Sequence, residues 1–163
     1  MQLLAVGEAR PYVLLRLSHT REMHTAMTDK ISHHQALIYT MVTISAADRT
    51  MTDSELLTIG DMVQTLPVFR DFESEGLVTS AEACGEILQG EDGLDTVLDI
   101  IATSLPTKFY DTAYALAVEV AAADLHVGQE ELRFLQLLRD RLDLDKLAVA
   151  AIEHSARVRH RIL

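Results

Sequence analysis

Two long stretches of this chain carry almost no charge, and they constrain its fold more than any other feature. From Ala36 to Ala47 no residue is charged, and from Thr112 to Ala123 the only charged residue is Glu119. The first stretch follows a capping box of Ser32 and Gln35, the pattern in which two side chains satisfy free backbone donors at a helix start. A helix that is apolar on nearly all sides is buried on nearly all sides. The sequence therefore predicts two buried central helices.

Each central helix begins a helical hairpin, and the two hairpins resemble each other. Each is predicted as a buried helix, a short loop opened by Asp, and an amphipathic helix with Glu in its first turn. Chance similarity between two Ala- and Leu-rich hairpins is the alternative, and the matched acids at both ends of the loop argue against it. Setting residue n against n + 76 pairs Ala46, Ala47, Asp48, Glu55 and Leu56 with Ala122, Ala123, Asp124, Glu131 and Leu132.

The rest of the chain also favours helices. Only ten residues are Gly or Pro, and Ala and Leu are strong helix formers. Thr52 with Glu55 forms a second capping box, Thr79 with Glu82 predicts a helix through Leu88, and the last helix is predicted over about 143 to 159. We predict an all-α, single-domain bundle of about seven helices in residues 31–163. Residues 1–30 read as a weakly ordered N-terminal extension.

Several classes of protein are disfavoured. Cys84 is the only cysteine, so a disulfide framework and a thiolate metal site are excluded. The apolar stretches are shorter than the roughly 20 residues of a membrane span, and the N-terminus lacks a signal-peptide pattern, which favours a cytoplasmic protein. No nucleophile elbow, Walker loop, dinucleotide fingerprint or CxxC occurs, so we predict a non-enzymatic protein.

The negative charge lies in the middle of the chain. Residues 48–103 hold thirteen acids against Arg49 and Arg70, which accounts for the whole net charge of -11. Such a surface disfavours nucleic acid, because that binding depends on Lys and Arg contacts to phosphate. It suits a cation or a basic protein partner, and a solvated surface that keeps the protein soluble is the alternative.

Four acids are the candidate site residues: Asp48, Glu55, Asp124 and Glu131. Asp48 and Asp124 stand at helix ends, where the dipole disfavours an acid. Together the four offer hard oxygen ligands for Ca²⁺, Mg²⁺ or Mn²⁺, but the EF-hand pattern does not fit, because Ile59 stands where its final Glu belongs. The structural alternative is an Asx turn at each Asp and helix capping at each Glu.

Three further features are charged or titratable side chains outside the four candidate acids. Glu119, inside an apolar helix, is expected to face a polar interior or to pair with Arg or Lys. His126 is expected on the surface of the second loop. Arg157, Arg159 and Arg161 are expected to complement a helix dipole, and docking to an acidic partner is the alternative.

The paired hairpins, with "LPTKFYDTAYALAVEVAAAD" before the second loop, resemble the TerB-like family of tellurite resistance proteins over residues 30–160. The resemblance implies an all-α bundle with an internal repeat, metal binding through the four acids, and work with membrane-associated partners in stress response. Family loops commonly place Gly directly after the Asp. This chain has Arg49 and Leu125 there.

Overall fold

The computed structural model describes residues 30–47 and 52–162, and within these ranges the chain is helical, without a strand. The all-α prediction is confirmed. The predicted extension falls on residues that lie outside the described ranges, except for Lys30. The helices are α1 (His33–Ser45), α2 (Asp53–Thr65), α3 (Gly76–Leu88), α4 (Gly93–Ser104), α5 (Tyr110–Ala121), α6 (Gln129–Arg141) and α7 (Lys146–Arg159), with short 3-10 turns at Pro67–Phe69 and Thr107–Phe109.

Both predicted capping boxes of the first hairpin are present. The backbone N–H of Ser32 donates to Gln35 Oε1, and the Gln35 N–H donates back to Ser32 Oγ. Thr52 and Glu55 make the same reciprocal pair at the start of α2. Each pair satisfies two backbone donors that a helix start leaves free, so local sequence alone fixes where these helices begin.

The start of α3 was predicted wrongly. The helix begins at Gly76, and Thr79 lies inside it. The N–H groups of Gly76 and Leu77 already donate to carbonyls three residues earlier, and Leu77 packs against the core. Gly76 lies so close to Phe72 that a Cβ there would be 3.2 Å from the ring. Packing against Phe72 and the core thus starts this helix before its apparent cap.

The start of α7 is also later than predicted. Asp145 is the N-cap, and its Oδ1 accepts hydrogen bonds from the N–H groups of Leu147 and Ala148. Asp143 lies in the preceding turn with φ of 49°, in the left-handed region that Asp tolerates better than most residues. The connection between α6 and α7 is therefore a tight turn.

Helix α1 is the centre of the molecule. Every residue from Ala36 to Ser45 is buried, and the helix contacts α3, α4, α5 and α6. Helix α5 is the second central helix and contacts α1, α6 and α7. In addition, α2 contacts α5, and α6 contacts α1. The second helix of each hairpin therefore lies against the first helix of the other.

The hairpin bounds follow the offset found in the sequence. Helix α1 ends at Ser45 and α5 at Ala121, while α2 spans Asp53–Thr65 and α6 spans Gln129–Arg141, so these bounds all differ by 76. The offset changes afterwards, because residues 66–75 connect α2 to α3 but only residues 142–145 connect α6 to α7. Within the described residues, no helix is long and apolar enough to cross a membrane.

Candidate functional site

The loop of the first hairpin is organised by Glu55. This side chain is buried, and its Oε2 accepts hydrogen bonds from the Thr52 N–H at 2.7 Å and from Thr52 Oγ1 at 2.8 Å. The carboxylate therefore closes the helix cap, as the structural alternative requires. Asp48, the other candidate acid of this loop, lies outside the described residues.

Glu131 occupies the matching place in the second hairpin. It is buried, and its Oε2 accepts a hydrogen bond of 2.6 Å from the N–H of Gly128. Gly128 has no side chain to complete a reciprocal pair, so Glu131 supplies the side-chain part of this cap. The two glutamates thus perform the same local task in both hairpins.

Asp124 makes the predicted Asx turn. Its Oδ1 accepts a hydrogen bond of 2.9 Å from the N–H of His126, two residues along the chain. Both side chains are exposed, as expected for His126. The turn explains how an acid is accommodated at the unfavourable end of α5, since the backbone amide offsets part of its charge.

Leu125 takes the place at which the family loops carry Gly. Its φ is 65°, so the loop adopts the left-handed conformation that Gly enters without steric cost. For a leucine this conformation is unfavourable by roughly 1–2 kcal/mol. The loop therefore holds a leucine in this conformation at a cost in backbone strain. Arg49, the corresponding residue of the first loop, lies outside the described ranges.

The described acids are not gathered into a metal centre. Within residues 30–47 and 52–162, no three side chains of His, Cys, Asp and Glu form a group that could hold an ion. However, the end of α1 and the start of α6 line one cavity of about 980 Å³, through Ala46 and Ala47 on one side and Gln129 and Glu130 on the other. Residues of α3 and α4 line the same cavity, so Ala47 of the first hairpin and Glu130 of the second face one space.

Glu119 joins α5 to the last turn of α7. Its Oε1 lies 2.9 Å from His160 Nε2, and its Oε2 accepts from Arg159 Nη2. The expected pairing with Arg is confirmed, and the histidine is an addition that spacing could not show. Burial raises the pKa of Glu119. The hydrogen bonds from His160 and Arg159, together with the charges of these residues, lower it by more, so the net shift is downward. Nearer the start of α5, the Tyr114 hydroxyl donates to Glu153 of α7 at 2.7 Å.

We expect Glu119→Gln to lower the free energy of unfolding by about 1 kcal/mol near neutral pH. Because the folded-state pKa is depressed, the carboxylate stabilises the protein above the ordinary pKa of about 4.3, and this contribution is lost as the pH falls through the folded-state value. The free energies of unfolding of the two proteins should therefore converge as the pH falls below about 4.3, and denaturant unfolding across this range measures them. Asp140→Asn, an exposed site on α6, is the control and should change little. A difference in unfolding free energy between wild type and Glu119→Gln that stays constant at all pH values would contradict an ionic role of Glu119.

A histidine pair with aromatic neighbours lies at the start of α1. His33 stacks on Phe109 with ring centroids 5.5 Å apart, and the Nε2–H of His34 donates to the Val68 carbonyl at 2.9 Å. Burial lowers the pKa of His33, and the nearby His34 and Lys108 lower it further. Sequence reasoning gave this cluster no role, although adjacent histidines at a helix start were visible.

This cluster predicts acid sensitivity. Because the pKa of His33 is lower in the folded protein, the unfolded chain binds the proton first, and stability falls as the pH drops below about 6.5. We expect the melting temperature to fall between about pH 7.5 and pH 5.5, and His33→Gln to reduce this fall. Thermal melts across this range test it, with His154→Gln as the control because that side chain is exposed on α7. An unchanged pH dependence in His33→Gln would contradict the assignment.

An acidic segment, residues 71–99, covers α3, the first part of α4 and the turns before and between these helices. Residues 71–99 hold nine carboxylates and no Lys or Arg, and all nine acidic residues are exposed. Arg141 of α6 pairs with two of them, Asp95 and Asp99. The other seven make no ion pair with any described residue. We call this set the acidic face; it comprises Asp71, Glu73, Glu75, Glu82, Glu86, Glu91, Asp92, Asp95 and Asp99.

Comparison of the chain with models of known protein families, with curated proteins and with solved structures found no match. The class that the coordinates define is an all-α helical bundle with an acidic face. Membership of the TerB-like family stays a prediction from the hairpin residues.

Proposed function

We propose that this chain is a non-enzymatic helical binding module whose acidic face docks on a basic surface of a protein partner. The observation that supports this function is the exposure of nine carboxylates in a segment without Lys or Arg. A surface of one sign raises the rate and selectivity of encounter with an oppositely charged partner. The TerB-like resemblance adds a cytoplasmic role in a tellurite-type stress response, with a partner that is membrane-associated.

The role of the hairpin glutamates fits this function. Glu55 and Glu131 are turned towards the backbone of their own loops and cap α2 and α6. Both helices pack against the central pair, α1 and α5. The acids inside the hairpins therefore stabilise the scaffold, while the acids of the acidic face meet the partner.

Ionic strength tests this proposal. We expect a lysine-rich peptide of about ten residues to bind at low salt and to lose affinity by at least about tenfold between 0.05 and 0.5 M salt, because exposed charges are screened within about 10 Å at 0.1 M. Fluorescence anisotropy of the labelled peptide measures the affinity. Glu82→Gln with Glu86→Gln removes two charges from the exposed side of α3 and should weaken binding.

A matched variant separates the acidic face from net charge. Asp140→Asn with Asp143→Asn removes the same charge from exposed residues near the end of α6. It should weaken peptide binding less than the α3 variant does. Equal losses, or binding that does not respond to salt, would contradict the proposal.

Divalent cation binding by Asp48, Glu55, Asp124 and Glu131 is the second candidate. The observation that favours it is that Ala47, which precedes Asp48, and Glu130, which precedes Glu131, line one cavity together with residues of α3 and α4. Thermal melts of metal-stripped protein with Ca²⁺, Mg²⁺ and Mn²⁺ test it, since an ion at 100 times its dissociation constant adds about 2.7 kcal/mol. A rise with one ion that is lost in Asp48→Asn and Asp124→Asn would establish this site.

A further inference from the structure

An apolar groove lies at the end of α7. It has a volume of about 380 Å³ and lies between the last turns of α7 on one side and the loop 122–128 with the start of α6 on the other. Leu125 is 55% exposed, Leu132 48% and Ile162 74%. Val127 is also exposed in the same groove. Adjoining exposed apolar side chains of this size mark a surface that meets another molecule.

Arg157 and Asp124 place opposite charges on the two sides of the groove, and Glu153 also lines its α7 side. Arg157 lines the α7 wall, and Asp124 directly precedes Leu125 on the loop wall. Both side chains are exposed, and neither makes an ion pair with a described residue. A two-fold rotation about the groove exchanges its walls, so Arg157 of one copy would face Asp124 of the other. A surface with this property is complementary to itself, as a symmetric dimer interface must be.

The distribution of charge favours this end of the molecule for self-association. Residues 48–103 carry the net charge of -11, so two acidic faces repel each other. Residues 104–163 hold nine acids and eight bases and are nearly neutral. Two copies of this acidic chain can therefore approach through the α7 end without a large electrostatic cost.

We propose that the groove between α7 and the loop 122–128 is the contact surface of a symmetric homodimer. Leu125, Leu132 and Ile162 form its apolar centre, and Arg157 pairs with Asp124 of the second copy at its rim. The left-handed conformation of Leu125 fits this role, because it holds a large apolar side chain outward where Gly would bury nothing.

Sedimentation equilibrium of the full chain over about 1 to 100 µM tests the proposal. We expect a dimer in the wild type and a dissociation constant raised roughly thirtyfold or more in Leu132→Asp, since a charge replaces an apolar anchor. Leu56→Asp is the matched control: Leu56 is the equivalent residue of the first hairpin, and it is 50% exposed. The dissociation constant of the Leu56→Asp dimer should equal that of the wild type.

Two further variants separate association from folding. Leu125→Asn relieves the strained backbone, because Asn tolerates positive φ, and removes the apolar contact. It should raise the dissociation constant without lowering the unfolding temperature of the dilute monomer. Arg157→Glu should weaken the dimer roughly tenfold through the rim pair.

Three results would overturn the proposal. A wild type that stays monomeric up to about 100 µM would assign the groove to another ligand. Dimers that persist in both Leu132→Asp and Leu125→Asn would place the contact elsewhere. A loss in Leu56→Asp equal to that in Leu132→Asp would place it on the face of α2.

Discussion

Leu37→Ala should destabilise the protein by about 2–5 kcal/mol, because it opens a cavity in the central helix. Leu37 is 0% exposed and belongs to the core in which α1 meets its neighbours. Typical domains unfold with only about 5–15 kcal/mol, so the loss is a large part of the total. At roughly 2–4 °C per kcal/mol for a chain of this size, we expect the melting temperature to fall by about 4–20 °C.

An exposed leucine provides the comparison for this variant. Leu57 lies on α2 and is 69% exposed, so Leu57→Ala removes the same atoms from a side chain that is mostly in water. Its free energy of unfolding should change by less than about 0.5 kcal/mol. Urea unfolding measures both variants. Similar losses of unfolding free energy in Leu37→Ala and Leu57→Ala would contradict the central position of α1.

The second large effect concerns the buried glutamates. Glu55→Ala should cost about 1–2 kcal/mol, because the N–H and hydroxyl of Thr52 lose their acceptor. Glu55→Gln should retain most of the stability, since Gln also closes a capping box. Chemical denaturation of the three proteins, without and with a divalent cation, distinguishes a cap from an ion ligand.

Substitution of Glu131 by Ala and by Gln repeats this test at the start of α6. Glu131→Ala should also lower stability, since the N–H of Gly128 donates to Glu131. If the glutamates are caps, the Gln variants should be near wild type with or without cation. Gln variants that match wild type only in metal-free buffer would instead indicate that the carboxylate charge holds an ion.

Sequence reasoning succeeded where the determining contacts are local. The capping boxes at Ser32 and Thr52 and the Asx turn at Asp124 join residues two or three positions apart, so their pattern is visible in the chain. The two uncharged stretches also predicted the central helices, because uniform apolarity has few other structural solutions. The α3 start was missed because packing of Gly76 on Phe72 competes with the apparent cap at Thr79.

The candidate site was less predictable, since its relations are long-range. Glu119 meets Arg159 and His160 some 40 residues later, and no spacing rule selects those partners. The groove at the α7 end combines residues from α5, α6, α7 and the loop between α5 and α6. Exposure of the whole acidic face also depends on how α3 and α4 are turned in the bundle. A charge count predicts the sign of this surface but not which of its carboxylates are exposed.

The contacts that α2 makes with α5, and α6 with α1, determine whether the chain can be divided into two independent parts. Because α2 contacts α5 and α6 contacts α1, a fragment cut before α5 would leave α1, buried from Ala36 to Ser45, without its main neighbour. Such a half would expose an apolar helix and require a second half to cover it. Neither half is therefore expected to fold alone, because α1–α4 and α5–α7 would each leave a central helix without its partner.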